Sequence, residues 1–253
     1  MVLKGGALLA AYGARRPTRD VDLRADRIGN DTETVLDLIR EIAEIEIDDG
    51  LHYDATGAEA ELIRDEDQYA GVRVTMGCAL ATARLRFHVD VNVGDPVWPK
   101  PGLVEVPRLL GGVIMVTGYP LSMVLAEKVV TALQRGTVNT RWRDFADIYL
   151  LTGSREVDGA EFTRSMQIVA EYRSVEVESL SRVLAGYGAL GQVRWAAWVR
   201  KQRLDDRLPR DFASVVDAVV RFSDPALGSE VIDKKWNPSE QVWSAQIWRG
   251  TSP

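Results

Sequence analysis

Hydrophobic and polar residues alternate most cleanly between Ala83 and Val93. Leu85, Phe87, Val89, Val91 and Val93 are interleaved with Arg84, Arg86, His88, Asp90 and Asn92. Successive side chains of a strand point to opposite faces, so this pattern predicts a strand with one buried and one polar face. Val72 and Val74 predict a partner strand beside it. Shorter strands are predicted at Met1–Lys4, at Val21–Leu23 and within 104–115, the last after the breaks at Pro96, Pro99 and Pro101. Ala7 to Tyr12 reads as the opening of a helix that Gly13 stops. Asp31-Thr32 predicts a helix N-terminus, followed by Val35, Leu38, Ile39, Ile42 and Ile45 at helical spacing.

After Pro120 the period becomes helical. Helices are predicted over 121–135, ended by Gly136, and over 143–151, ended by Gly153. Further helical segments are predicted near 160–172, 176–187, 190–203 and 211–222, with Pro225 stopping the last. Strands followed by segregated helices predict an α+β, bilobed protein. An N-terminal mixed-sheet lobe would span residues 1–118, and a helical lobe over 119–253 would complete a cleft. In the tail beyond Asp233, Trp236, Trp243 and Trp248 are expected to pack back onto the body.

Composition adds exclusions. A chain of 253 residues, 46% hydrophobic and 27% charged, fits one large globular domain or two smaller ones. No apolar run approaches the ~20 residues of a membrane span, and no signal peptide precedes the first motif, so a cytoplasmic location with no membrane partner is expected. The lone Cys78 lies among apolar neighbours and reads as a small buried hydrophobe. The net charge of -6 excludes a uniformly basic nucleic-acid binder but not a local basic face. Only six of the 31 basic residues are lysine, and the arginine excess suits bidentate phosphate contacts.

The candidate chemistry begins at Asp20 and Asp22. Two residues apart on a strand, both carboxylates share a face while Val21 and Leu23 turn to the core. Paired carboxylates repel unless a cation lies between them, and Mg²⁺ typically takes one or two carboxylates plus substrate phosphates. Asp90, on the polar face of the 83–93 strand, would join them if the two strands are neighbours. The alternative is a surface pair matched to Arg16, Arg19 or Arg24. Lys4-Gly5-Gly6 precedes a helix, where glycines let backbone N–H groups approach a phosphate; a plain turn is the alternative. Lys128 can meet phosphate as a point charge. Asp144 and Asp147 share one helix face, and a salt-bridged helix pair is the alternative there. Arg194, Arg200, Lys201, Arg203 and Arg207 form the densest basic stretch, interleaved with Trp195 and Trp198. They read either as an RNA-binding face or as a solvated surface over a tryptophan core.

Several segments resemble the AbiEii family of nucleotidyltransferase toxins, which includes the MenT-like members and falls in the DNA polymerase β-like superfamily. Lys4-Gly5-Gly6-Ala7-Leu8 through Thr18-Arg19-Asp20-Val21-Asp22-Leu23 resembles its first motif, and Val89-Asp90-Val91-Asn92-Val93-Gly94-Asp95 its next strand. Ala126-Glu127-Lys128 and Arg141-Trp142-Arg143-Asp144-Phe145-Ala146-Asp147 resemble its lysine and aspartate motifs, and 195–227 its C-terminal helices. Ala7 departs from the threonine common after Gly-Gly. The first motif also starts close to the chain's beginning, where family members carry further helical sequence; either the start is natively short or a piece is absent.

The resemblance implies transfer of a nucleoside monophosphate from an NTP, with CTP favoured, to the 3′ acceptor end of tRNA, blocking translation. It implies Mg²⁺ or Mn²⁺ held by Asp20 and Asp22, to which the residue pattern adds Asp90 as a third ligand if its strand lies beside theirs. Lys4, Gly5, Gly6, Thr18 and Lys128 would bind nucleotide, and Thr18, Asp20, Asp22, Lys128 and Asp144 would be catalytic. A cognate antitoxin is the implied partner. The rival readings are transfer to a small molecule or protein, and a non-catalytic nucleotide-binding member.

Overall fold

The computed structural model describes residues 1–64 and 70–245. Contacts divide them into two compact units. The first comprises Met1–Ala11, Arg15–Asp95 and Pro101–Tyr119, and the second comprises Tyr12–Ala14, Pro96–Lys100 and the chain from Pro120 onward.

The first unit is built on β1 (Val2–Lys4), β2 (Asp20–Ala25), β3 (Leu51–Arg64), β4 (Ala70–Leu80), β5 (Ala83–Val93), β6 (Gly102–Pro107) and β7 (Val113–Gly118). They form one mixed sheet in the order β3-β4-β5-β2-β1-β7-β6. β2 runs parallel to β5 and β1 parallel to β7, and the other neighbours are antiparallel. The predicted 83–93 strand is found with its predicted bounds, but burial follows position along it and not only face: Leu85, expected inside, is 52% exposed near the strand's start, while Asp90 on the polar face is buried alongside Val89 and Val91. Val89 and Val91 join Val72, Val74, Met76 and Ala25 in a buried layer under α2 (Thr32–Ala43), which contributes Val35 and Ile39. Asp31 caps that helix, accepting from the Thr34 N–H at 2.8 Å. Ile42 and Ile45 lie outside this face, exposed near and beyond the helix end.

Two elements differ from the sequence expectation. β3 was not predicted, because a bulge between Asp54 and Glu59 breaks its alternation and turns both Ala55 and Ala58 inward. The first helix, α1 (Gly5–Leu8), starts at Gly5 rather than Ala7 and lasts four residues.

The second unit contains α3 (Leu121–Arg135), α4 (Trp142–Thr152), β8 (Val157–Asp158), α5 (Gly159–Tyr172), α6 (Leu180–Val183), α7 (Tyr187–Gln202), α8 (Phe212–Leu227), β9 (Lys234–Asn237) and β10 (Val242–Ala245). Helix α3 buries most of its circumference, from Met123 to Ala126 and from Val129 to Leu133, and so serves as a central helix. The 176–187 segment narrows to α6, whose Leu180 and Ser181 N–H groups are capped by the Asp224 carboxylate. Pro225 lies inside α8 instead of stopping it. It falls in the last turn, where the missing N–H removes one bond while Gly228 still donates to Asp224. Among the described residues, no helix is long and apolar enough to cross a membrane.

The tail is not helical: β10-β9-β8 make a small antiparallel sheet. Trp236 is 2% exposed and donates its indole N–H to the Thr152 carbonyl at 2.7 Å, and Trp243 stacks on Phe222. Trp248 lies outside the described residues. Trp236→Ala is therefore expected to destabilise the protein by ~3–5 kcal/mol, as a buried aromatic truncation does. Urea unfolding measures it, and a loss under 1 kcal/mol, well below that range, would show that the tail is not integral to the second unit.

Candidate active site

The first unit's site follows from strand register. Directly opposed residues of neighbouring strands share a face. Lys4 on β1 faces Asp22 on β2, Asp22 faces Asp90 on β5, and Asp90 faces Arg73 on β4. One row across four strands thus reads cation, carboxylate, carboxylate, cation. In the adjacent row Asp20 stands beside His88, which shares a hydrogen bond with Thr75 at 2.9 Å. All these groups project from the face opposite α2, because the intervening Val21, Leu23, Val89 and Val91 pack beneath it.

Both end cations are tied down. Arg73 grips Asp90 with two parallel bonds, Nε to Oδ1 at 2.8 Å and Nη2 to Oδ2 at 2.7 Å. This hydrogen bonding raises the guanidinium pKa above its ordinary value; burial opposes it, and the Asp90, Asp20 and Glu61 charges add to it. Lys4 Nζ is 2.8 Å from Asp95 and 5.7 Å from the Tyr119 ring centroid. Arg73 was not singled out from sequence, since it stands in no motif, and Asp95, the last residue of the 89–95 motif, was given no role there.

The Gly5-Gly6 turn closes on the same carboxylates. The Gly6 N–H donates to Asp22 Oδ2 at 3.3 Å. Gly5 has φ +63°, and a Cβ there would lie 1.9 Å from Asp22 Oδ2, so both conformation and space demand glycine. A Cβ on Gly6 would approach the Thr18 hydroxyl to 2.9 Å, and that hydroxyl donates to the Asp20 carbonyl at 3.3 Å. Gly5, Gly6, Thr18, Asp20, Asp22 and Asp90 are therefore assembled within one unit by one sheet and one turn.

Hard oxygen donors suit a divalent cation such as Mg²⁺, which draws one or two protein carboxylates and completes its shell with water and phosphate. Among the described residues no three His, Cys, Asp or Glu side chains form a ready-made cage. Asp20 and Asp22, projecting from one strand on the same face, fit the sparser two-carboxylate arrangement. Asp90 stands beside them with both oxygens engaged by Arg73.

In the second unit, Lys128 on α3 meets α4. Its ammonium lies 2.9 Å from Asp144 and 2.8 Å from Asp147, and Arg141 reaches Asp144 at 3.0 Å. Asp147 is wholly buried. Burial pushes the Asp144 carboxyl up, but the Lys128, Arg141 and Arg143 charges outweigh it and hold the pKa at about 2. The two aspartates thus share one partner.

The basic stretch Arg194, Arg200, Lys201, Arg203 and Arg207 is exposed throughout. The tryptophans beside it resolve toward the core. Trp195 is fully buried, stacks on Phe212 and donates to the Pro209 carbonyl at 3.0 Å, while Trp198 is half-buried against it. Cys78 is buried, as its neighbours suggested.

Comparison with known proteins gives two kinds of match. The model of the family described as nucleotidyl transferase AbiEii toxin, type IV TA system, matches residues 1–236. Among solved structures, a candidate nucleotidyltransferase from Helicobacter pylori aligns with TM-score 0.52 at 13% identity, over 91% of this chain and 88% of that one. JHP933 from Helicobacter pylori aligns with TM-score 0.50 at 13% identity, over 90% and 85%. At such identity these two establish a shared α+β fold. No curated protein is significantly similar in sequence.

The Lys128 cluster yields a stability prediction. Asp144→Asn is expected to cost ~2–3 kcal/mol at neutral pH, the free energy that a carboxyl held at about 2 instead of 3.8 represents. Because the native pKa of about 2 lies below the ordinary 3.8, this contribution is fully present above about pH 4 and lost as pH falls through 2. Denaturation curves of wild type and variant should converge toward pH 2, and a gap independent of pH would exclude the Asp144 charge as its source.

Proposed function

Since the chain belongs to the AbiEii family of nucleotidyl transferase toxins of type IV toxin–antitoxin systems, we propose that it transfers a nucleoside monophosphate from an NTP, CTP by preference, to the 3′ acceptor end of tRNA, and so blocks translation. The observation that carries this reading is the Gly5-Gly6 turn laid against Asp22, with Asp20 and Asp90 on the same sheet face. Such a turn brings backbone N–H groups beside carboxylates, the combination that a triphosphate with its metal ion requires.

In this proposal Asp20 and Asp22 hold Mg²⁺ or Mn²⁺, with Asp90 contributing its charge beside them. The ion, when bound, neutralises charge building on the phosphates. Gly5, Gly6 and Thr18 line the triphosphate, and Lys4, held by Asp95, adds a positive charge at the end of the row. The terminal ribose hydroxyl attacks the α-phosphorus in line. An O–P bond forms, the α–β anhydride breaks, and pyrophosphate departs with the bonding pair. The hydroxyl proton leaves to solvent water, and the Asp90 carboxylate, oriented by Arg73, lowers the cost of its departure through its charge. Positioning and charge neutralisation then supply most of the rate. Lys128 and Asp144 take their proposed roles from the family motif, as triphosphate ligand and late acidic residue, with Asp147 the alternative to Asp144. Arg194, Arg200, Lys201, Arg203 and Arg207 are proposed RNA contacts, supported by their exposure. A cognate antitoxin is the protein partner, and the tRNA substrate sets a cytoplasmic location.

Purified protein incubated with each labelled NTP, Mg²⁺ and tRNA should label the RNA 3′ end, with CTP the best donor. Asp20→Ala and Asp22→Ala should each lower transfer by more than ~100-fold without unfolding the protein. Gly5→Ala should do likewise, since its Cβ displaces the Asp22 carboxylate. Absence of label in RNA with every NTP would sink the tRNA reading, and full activity in Asp20→Ala would sink the assigned site.

A further inference from the structure

The polar face of the sheet continues past the carboxylates into a trough of about 520 Å³ that spans β5, β4 and β3. Its volume falls within the ~300–1,000 Å³ usual for ligand sites. Arg84 and Arg86 of β5 form one wall, Asp54 and Glu59 of β3 the other, with His52 beyond Asp54 and Gly77 of β4 in the floor. Arg84 and Arg86 lie on the same face of the same strand as His88 and Asp90, because side chains alternate. Moving from Asp90 toward the start of β5 therefore leads along a cationic ledge into the trough. Arg86 is 70% exposed, and its ion pair with Glu59 is loose, at 3.7 Å. Arg84 is also exposed and makes a long bond, 3.4 Å, to the Ala81 carbonyl.

We propose that this trough receives the last nucleotides of a single-stranded RNA 3′ end. The inference rests on the proposed transfer to RNA and places the acceptor strand for it. Three features favour this ligand class. Alternate residues of a strand advance about 6.6 Å, so Arg84 and Arg86 repeat as the phosphates of an extended strand do. The opposite wall is acidic, and carboxylates accept from the exocyclic amines of cytosine and adenine. The floor lacks a side chain at Gly77, which leaves room for a flat base. A ligand with anionic groups on one edge and amino groups on the other uses both walls; a purely anionic one uses only the arginines.

The probe is a short 5′-fluorescent single-stranded RNA with a free 3′-hydroxyl, titrated against the full chain without NTP. Arg84→Ala/Arg86→Ala should weaken binding about tenfold or more. It should also flatten the slope of log affinity against log salt by about 1.4, at roughly 0.7 per phosphate contact of a single strand. Gly77→Phe should block the floor. An added Cβ there meets only Asp54 Cβ at 3.8 Å and Leu85 O at 3.9 Å, so the strand accommodates it. Both variants should retain wild-type binding of NTP with Mg²⁺. Should Gly77→Phe fail to fold, the arginine variant decides alone.

Wild-type RNA affinity and salt slope in the variants would overturn the trough, as would equal loss of RNA and NTP binding. If wild type labels RNA while the variants bind it normally, only this inference fails. If wild type labels no RNA, the transfer reading fails with it.

Discussion

The register of β2 against β5 is the constraint on which the first unit depends. Asp20 and Asp22 project from one face of β2 only because Val21 and Leu23 project from the other, into the layer formed with Val89, Val91 and α2. A one-residue slip would exchange the faces. It would bury two carboxylates under α2 and expose the core of the sheet, at a cost no local contact offsets. Apolar packing on one side thus fixes the chemistry on the other. The same register lines up the row from Lys4 to Arg73, so the like charges in its centre are flanked by cations at both ends.

Each unit answers the problem of half-buried charge in its own way. In the first, Lys4 pairs with Asp95 and Arg73 with Asp90, and Asp20 and Asp22 lie next to the glycine turn. In the second, one ammonium is shared by two carboxylates and the set is enclosed, with Asp147 wholly buried. The first arrangement suits a site that takes up a cation and an anionic substrate. The second ties two helices together, and a buried pair of this kind is most strongly felt when one member is removed.

Much of this was legible in the sequence where period and motif coincide. β5 declared itself by alternation, and Asp-x-Asp placed two carboxylates on one face. The Arg73–Asp90 pair was not visible. It depends on a two-residue connection, Ala81-Thr82, that fixes Leu80 opposite Ala83 and so Arg73 opposite Asp90. Neither residue is a usual hairpin turn former, and Ala81 adopts φ +51°. β3 was hidden by its bulge, and Pro225 misled because a proline in a helix's last turn costs little. Trp195 could be placed only by its neighbours, since stacking on Phe212 is a property of the fold and not of the local pattern.

The bulge in β3 has one more consequence. β3 and β6 are the outer strands of the seven-stranded sheet, and an unpaired strand edge invites pairing with another chain. β3, the longest strand, carries the Asp54–Glu59 irregularity together with exposed acidic side chains, and β6 ends in Pro107, which has no N–H to donate. Both borders of the sheet therefore discourage edge-to-edge aggregation. The irregularity that concealed β3 from sequence pattern helps keep the protein from polymerising through its own sheet.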